Sequence, residues 1–597
     1  MLLNELERQA QHLIEQGELI PIGYKTFGRA SPIRWILHLH PQTGDLLGEP
    51  EEVEIGQKPR PCRQRSGAVS VDNVKPYLLV DEARYVLGLA ESGRETEAQL
   101  QHQAFLDLLD KAAAATELPE LQLMHLFLST KADPQSLSQK IKPRDVVTLM
   151  VGQPPYAFEK AQIQEFWRIY LEGEFGSRVQ GICSVCGQQR ALIQTLPLEL
   201  IVMGQKCQLT SFNKTAFLSF GKEQTINASL CSVCGLIVPQ SLEHFLKKPQ
   251  HNTVLLRDDT KGGGGTSLQN QLAVYWLQYD QKVTIEAQEY DLLSLVTAPF
   301  PNTWEPAGQP TLALLEKFLQ IPWSGSDSPL ALSDNAFFLT VLSANKGRLV
   351  IREWIESSVA QLRQRLAQFL TALRLVGPRG EAAVVFPLPL LLQPLRSTDP
   401  NLLRGLLRTA YLGAPPPPGL LETAVHRLRT PRGRSLEAIY QQPAPFWVLA
   451  AVIKFALTFG TKEAETMVAL DPQNADAPYL CGRLLAVLEE AQRRAATGNL
   501  NTTIVDRFYG AASTSPAAAL APLLKLALTA HLPKIRRENR GYARLNDLLG
   551  EVMTALDRAG GLPRTLSLID QARFALGFYH QRAALAPSSQ QPADTTA

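Results

Sequence analysis

One pentapeptide occurs twice, as Cys183-Ser-Val-Cys186-Gly187 and Cys231-Ser-Val-Cys234-Gly235, with 44 residues between Cys186 and Cys231. Two thiolates spaced this way can turn toward one ion, and a following glycine permits the tight turn that aims backbone N–H groups at sulfur. Two such pairs complete a tetrahedral site. We therefore expect Cys183, Cys186, Cys231 and Cys234 to hold a structural zinc ion that clamps the insertion between them. Four protein ligands leave no open coordination position for a reacting water. The competing readings are two free-thiol pairs and a redox dithiol, and the latter lacks thioredoxin-like βαβ surroundings. Cys207, Cys62 and Cys481 read as ordinary small or buried residues.

Other chemistry leaves little trace. No H-E-x-x-H, G-x-S-x-G, Walker A or Glu-x-Lys nuclease element occurs. His251-Asn252 lacks the second histidine of an HNH-type metal finger, and His580 sits near a helix end where packing or capping is the simpler role. Gly262 to Gly265 have no following Gly-Lys-Ser/Thr and read as a mobile surface loop rather than a phosphate cradle. The expectation is a non-enzyme, although scattered triads leave no local signature.

Charge points elsewhere. The 597-residue chain has 59 Lys+Arg against 57 Asp+Glu. The split is uneven: residues 1–329 carry 29 basic and 37 acidic residues, net −8, and residues 330–597 carry 30 and 20, net +10. Such asymmetry suggests a polyanion partner, with solvated basic helix faces as the alternative. Within the acidic half, the proline-stiffened stretch 57–68 holds Lys58, Arg60, Arg63 and Arg65 and reads as a basic loop. Arginines there can reach phosphates, a guanine edge or a narrow minor groove; a solvated or protein-contacting loop is the other reading. A second candidate, Ser211 to Gln224, mixes Asn213, Lys222 and Gln224 with Phe212, Phe217 and Phe220; its alternative is a structural strand–helix junction. Asn345, Lys346, Arg348 and Arg352 form a third polar cluster.

The elements that must position these residues imply an α+β protein. Leu2 to Ile14 has helical spacing stopped by Gly17, and Ile33 to Leu39 alternates as a half-buried strand. Residues 96–129 return to helical period, and 143–153 resemble a buried strand. We expect an N-terminal α+β domain with the basic loop (1–179), a strand-rich region with four-cysteine zinc knuckles (180–332), a helical region (333–466) that includes a helix from Glu353 to Leu375, and an all-α helical bundle (467–597) with a frayed tail after Leu585. The apolar run Phe446 to Phe459 is too short to span a bilayer and reads as a buried helix. Seven cysteines are too few for a secreted disulfide framework, and the N-terminus has no signal-peptide pattern, so a reducing cytoplasm is expected.

Several stretches together resemble one family. They are Pro32-Ile-Arg-Trp35; Arg65-Ser-Gly67, Pro76-Tyr-Leu-Leu and Asp81-Glu-Ala-Arg-Tyr-Val-Leu-Gly88; Ser211-Phe-Asn213, Ala216-Phe217 and Phe220-Gly-Lys-Glu-Gln224; and Leu342-Ser-Ala-Asn-Lys-Gly-Arg348 with Arg352-Glu-Trp354. Further along come Asn474-Ala-Asp-Ala-Pro-Tyr-Leu-Cys-Gly-Arg483, Asp506-Arg-Phe-Tyr-Gly-Ala-Ala-Ser513 and Gln571 to Arg582. In order and spacing these resemble the large subunit of the type I-C CRISPR Cascade effector complex.

The resemblance implies a non-enzymatic subunit of an RNA-guided antiviral surveillance complex. It would sit by the guide RNA 5′ handle beside backbone and handle-binding subunits, read the protospacer-adjacent motif (PAM) of duplex DNA, help open it into an R-loop, and dock the helicase-nuclease. Guide pairing supplies sequence specificity in such effectors. It further implies a small subunit translated internally from the same gene. Met467 precedes the helical block, and a start there gives 131 residues carrying Arg507, Lys534, Arg536, Arg537 and Arg540, which suit a displaced single strand. Zinc is argued from the cysteines of this sequence, not from the resemblance. The alternative functions are a stand-alone zinc-containing DNA-processing enzyme and a protein-binding scaffold.

Overall fold

The computed structural model describes residues 2–21, 23–25, 27, 31–56, 58–63, 74–196, 198–212, 214–256, 270–299, 310–320, 334–345, 347–395, 399–435, 443–496, 500, 502–538 and 540–586. Arg65, Asn213, Lys346, the Gly262–Gly265 run and the tail beyond residue 586 lie outside them. The chain divides into two compact units, Met1–Lys248 with Ala344–Val350, and Pro249–Ser343 with Ile351–Ala597.

In the first unit, helix Leu2–Glu15 buries Leu2, Leu6, Ala10 and Leu13 on one face and packs against helix Ser232–Lys247. A four-stranded sheet follows in the order Glu51–Ile55, Ile33–Leu39, Val146–Val151, Val80–Glu82. The two central strands are parallel, with Trp35 opposite Val147. A parallel pair requires a long crossover, and helices Glu95–Thr116 and Pro119–Leu126 lie within it. Two polar contacts fix the sheet ends. Trp35 Nε1 donates to Asp145 Oδ2 at 3.1 Å, and the buried Asp81 carboxylate accepts from the backbone N–H of Tyr77 and Glu82 at 2.7 and 2.8 Å. Helix Ala161–Phe175 places Trp167 against Gly23, whose carbonyl accepts from the indole at 2.8 Å. A Cβ on Gly23 would lie 2.3 Å from Leu171 and its φ is +79°, so glycine is required there.

A second sheet, which belongs to the second unit except for the hairpin tip Ala344–Val350, has the order Asn252–Leu256, Gln271–Leu277, Ala336–Asn345, Arg348–Ser358. This corrects the helical reading of Glu353 to Leu375. Glu353 to Ser358 finish a strand, and the helix is Val359–Leu373, begun where Ser358 Oγ accepts from Gln361 N–H at 3.3 Å. Val350, Ile351 and Ile355 fit a pleated surface, and the neighbouring strand Ala336–Asn345 settles a period that sequence left ambiguous.

Helix Pro445–Thr458 is buried as expected. Its Lys454 is fully enclosed, and Nζ donates to the carbonyls of Thr371, Ala372 and Ala464 at 2.8, 3.2 and 2.8 Å. Burial lowers its pKa to about 8, which keeps it an ammonium at neutral pH.

The C-terminal bundle is built from helices Ala477–Ala495, Ile504–Ala512, Pro516–Leu526, Leu532–Arg537, Tyr542–Arg558 and Leu568–Leu585. The first and last touch backbone to backbone. A Cβ on Gly482 would lie 2.0 Å from the Phe574 carbonyl oxygen, and one on Gly577 2.0 Å from that of Tyr479. This approach brings Tyr479 Oη within 2.9 Å of His580 Nδ1 and Arg483 Nε within 2.9 Å of Gln581 Oε1. Among the described residues no helix is long and apolar enough to cross a membrane.

Candidate metal centre and nucleic-acid interface

The strand Gly176–Ile182 runs into the first cysteine pair, and the chain returns along Gln189–Ile193. Gly187 takes φ +70° in that turn, a conformation glycine adopts without a Cβ penalty. The second pair is built differently. Cys231 caps helix Ser232–Lys247, its sulfur accepting from Cys234 N–H at 3.4 Å, so Cys234 lies in the first helical turn. Gly235 is therefore helical rather than a turn glycine. Its missing side chain makes room for Ile193, whose methyl groups would sit 3.1 and 3.2 Å from a Cβ.

These elements bring the four sulfurs together, all within 4.8 Å of one another. Cys186 Sγ and Cys231 Sγ are 3.9 Å apart, matching the roughly 3.8 Å edge of a tetrahedron with metal–sulfur bonds of about 2.3 Å. Cys183, Cys231 and Cys234 are buried and Cys186 is half-buried. Cys183 Sγ accepts from the N–H of Val185 and Cys231 at 3.5 and 3.4 Å. The Cys183 thiol is driven down because Cys231 and Cys234 donate to it, and Cys231 is pushed up to about 11 by that same pairing. Soft, enclosed and tetrahedrally spaced, the quartet can hold a metal ion and is compatible with structural zinc.

Burial separates the basic candidates. In the 57–68 stretch, Arg60–Pro61 forms a short strand with Tyr24–Lys25, which corrects the plain-loop reading. Arg60 and Arg63 are buried. The Arg60 guanidinium lies 4.0 Å over the Phe27 ring and donates to the Ser31 carbonyl at 3.0 Å, and burial lowers its pKa to about 10. Arg63 lies 5.8 Å over Tyr170. Lys58 stays partly exposed, paired with Glu159 at 2.8 Å. Of the two prolines that signalled a loop, Pro59 precedes the two-residue pairing and Pro61 takes part in it, opposite Tyr24.

The 211–224 stretch and the tip of the Ala336–Ser358 hairpin meet within the first unit. Gln208 N–H donates to Gly347 O and Leu349 N–H to Gln208 O, at 3.0 and 3.1 Å. Arg348 lies 4.8 Å over the Phe217 ring, and Phe212 meets Phe217 edge-on at 6.4 Å. Lys222 and Gln224 are exposed, and Asn345 is half-buried. Arg352 belongs to the other unit, where its Nε donates to Ser343 Oγ at 2.9 Å. In the bundle Arg507, Arg536, Arg537 and Arg540 are exposed and Lys534 is half-buried. Arg540 Nη1 donates to the carbonyls of Arg494 and Ala496 at 3.1 and 2.7 Å, and the Arg494 guanidinium is paired with Glu490 at 2.8 Å. His580 is no surface base: it is buried inside the last helix, and its pKa is pushed down to about 3 by burial and by Lys454.

The sequence model of the family described as CRISPR-associated protein (Cas_Csd1) matches residues 6–586, spanning both units. The chain belongs to the Cas_Csd1 family. A comparison with curated proteins finds no match. As a Cas_Csd1 member, this chain is a CRISPR-associated protein whose cysteine quartet and exposed basic residues lie on different elements of the same polypeptide.

Proposed function

We propose that the chain is the large subunit of a type I-C Cascade complex, an RNA-guided antiviral surveillance assembly in a bacterial or archaeal cytoplasm. It recognises the PAM of duplex DNA, aids unwinding and R-loop formation, and helps recruit the helicase-nuclease, with no catalytic activity of its own. The observation that carries this reading is the Cas_Csd1 match running from residue 6 to residue 586. The exposed cations Lys222, Arg507, Arg536, Arg537 and Arg540 support it, because phosphate neutralisation supplies most sequence-independent affinity for nucleic acid. Lys58, Arg348 and Arg352 are secondary contacts. Arg60 and Arg63 shape the segment that carries Lys58 rather than reaching phosphate themselves. The quartet holds structural zinc, and a product begun at Met467 serves as the small subunit.

The test is co-purification with guide RNA and the backbone subunits, followed by binding to duplexes that differ only in the adjacent motif, at fixed salt. Motif-dependent affinity and a C-terminal fragment of about 14 kDa are expected. Failure to associate with guide RNA, or cleavage of DNA by the purified chain alone, overturns the proposal.

A further inference from the structure

Phe220 is fully exposed, which is unusual for so large an apolar ring. It occupies the tip of a tight turn in which Ser219 and Lys222 bridge as antiparallel partners and Lys222 N–H donates to Ser219 O at 2.9 Å. Both central residues have positive φ, +51° at Phe220 and +71° at Gly221, the arrangement of a type I′ turn. Asparagine or glycine normally fills the first of these positions, because a side chain with a Cβ fits the left-handed region poorly. Neither core packing nor turn preference accounts for phenylalanine here. Its near neighbours in sequence are Leu218, half exposed at 49%, and the exposed Lys214, Lys222 and Glu223.

The turn is tied to the cysteine quartet by a short relay. Asn227 Nδ2 donates to the carbonyls of Lys222 and Gln224 at 3.0 and 3.1 Å, closing the base of the turn. Lys222 Nζ reaches Ser229 Oγ at 3.3 Å. Ser184, between the first two cysteines, then bonds the next residues: its N–H donates to Ser229 O and its Oγ to Ala228 O, both at 2.8 Å. From Ser219 to Ser229 only Thr225 and Ile226 are buried, so an ion clamping Cys183, Cys186, Cys231 and Cys234 would act through Ser184 on where the tip stands.

We propose that Phe220 is a stacking platform for one unpaired nucleobase, presented on a finger whose root is the cysteine metal centre. This inference rests on the nucleic-acid reading above and adds the contact chemistry and the role of the metal. An aromatic ring accepts any base face, and flanking lysines hold the adjoining phosphates, so the contact favours unstacked over paired DNA with little sequence preference.

The zinc-loaded full chain should be titrated by anisotropy with a blunt duplex, and with the same duplex carrying one unpaired 2-aminopurine. Wild type should quench the 2-aminopurine and prefer the unpaired probe. Phe220→Ala should lose that quenching and weaken unpaired-probe binding by about 5- to 100-fold, the span of base–aromatic stacking, while duplex binding stays within twofold. Phe220→Trp should restore both. Chelation should reproduce the Phe220→Ala result in wild type and add nothing in the variant. Equal quenching by wild type and Phe220→Ala, with salt-sensitive binding intact, overturns the stacking role alone. Unchanged quenching after chelation overturns the anchoring. No binding of either probe by wild type overturns this inference together with the interface reading.

Discussion

Among the described residues between Cys186 and Cys231 no regular element exceeds five residues, whereas the C-terminal bundle pairs helices of 19 and 18 residues. The first region leaves Ile201 58% exposed and Phe220 fully so; in the second, Leu480, Cys481, Leu484 and Leu485 are wholly enclosed. One segment keeps a small core of Leu192, Ile193, Leu196, Leu200, Val202 and Leu230 between two cysteine pairs that a metal ion can cross-link, and leaves its far loop outside that core. The other has no cross-link and relies on two glycines that let backbones touch. A segment held at its ends can display its side chains outward, while one held by close packing must turn them in. The contrast explains why the aromatic tip sits in the first and the buried Tyr479–His580 pair in the second.

Removing the metal breaks the comparison at its strongest point. Structural zinc is worth on the order of 10–16 kcal/mol in small zinc-finger peptides. Chelation or Cys231→Ser should open residues 187–230 to protease while the bundle's unfolding transition stays put; a protected insertion after metal removal would refute the cross-link account. Next in size is Gly577→Ala or Gly482→Ala. A Cβ placed 2.0 Å from a backbone oxygen cannot be absorbed by a side-chain movement. Either change should cost the bundle about 3 kcal/mol or more in chemical denaturation and leave the insertion's protease pattern unaltered. The smallest effect concerns His580. Its pKa of about 3 in the folded protein lies below the ordinary value of 6.5. The unfolded chain therefore binds the extra proton, so the full contribution is present above pH 6.5 and is lost as pH falls toward 3. Each pH unit in that window should remove about 1.4 kcal/mol, and His580→Gln should flatten the profile measured by urea melts at pH 7.5 and 5.5.

Sequence was informative wherever the signal was local. The repeated cysteine pentapeptide located the quartet, and helical leucine spacing located the bundle. Helix Ser232–Lys247 escaped because its start reads Ser-Val-Cys-Gly-Leu-Ile-Val-Pro, rich in strand formers, with Pro239 in its interior. Its cap is a cysteine sulfur rather than the usual hydroxyl or carboxylate, so no capping signal announced it. Arg348–Ser358 was ambiguous because Trp354, Ile355, Val359 and Leu362 satisfy a helical period, and pairing with the preceding strand Ala336–Asn345 decided otherwise. Arg60 looked exposed because charge and proline dominate its neighbours, and only the fold supplied Phe27. Phe220 was legible as an aromatic residue, but nothing local tells an outward ring from a core one.

Helix Leu2–Glu15 lies against Ser232–Lys247, and Asn4 Nδ2 donates to the Val185 carbonyl at 2.8 Å, 181 residues further along the chain. A ribosome adds about 5–20 residues per second, so the first helix waits on the order of ten to fifty seconds for the surface it covers. Through that interval the stripe of Leu2, Leu6 and Leu13 has no native partner and is open to nascent-chain chaperones. Burial of that stripe is thus timed by the synthesis of helix Ser232–Lys247, well before the unit's last segment, Ala344–Val350, is made.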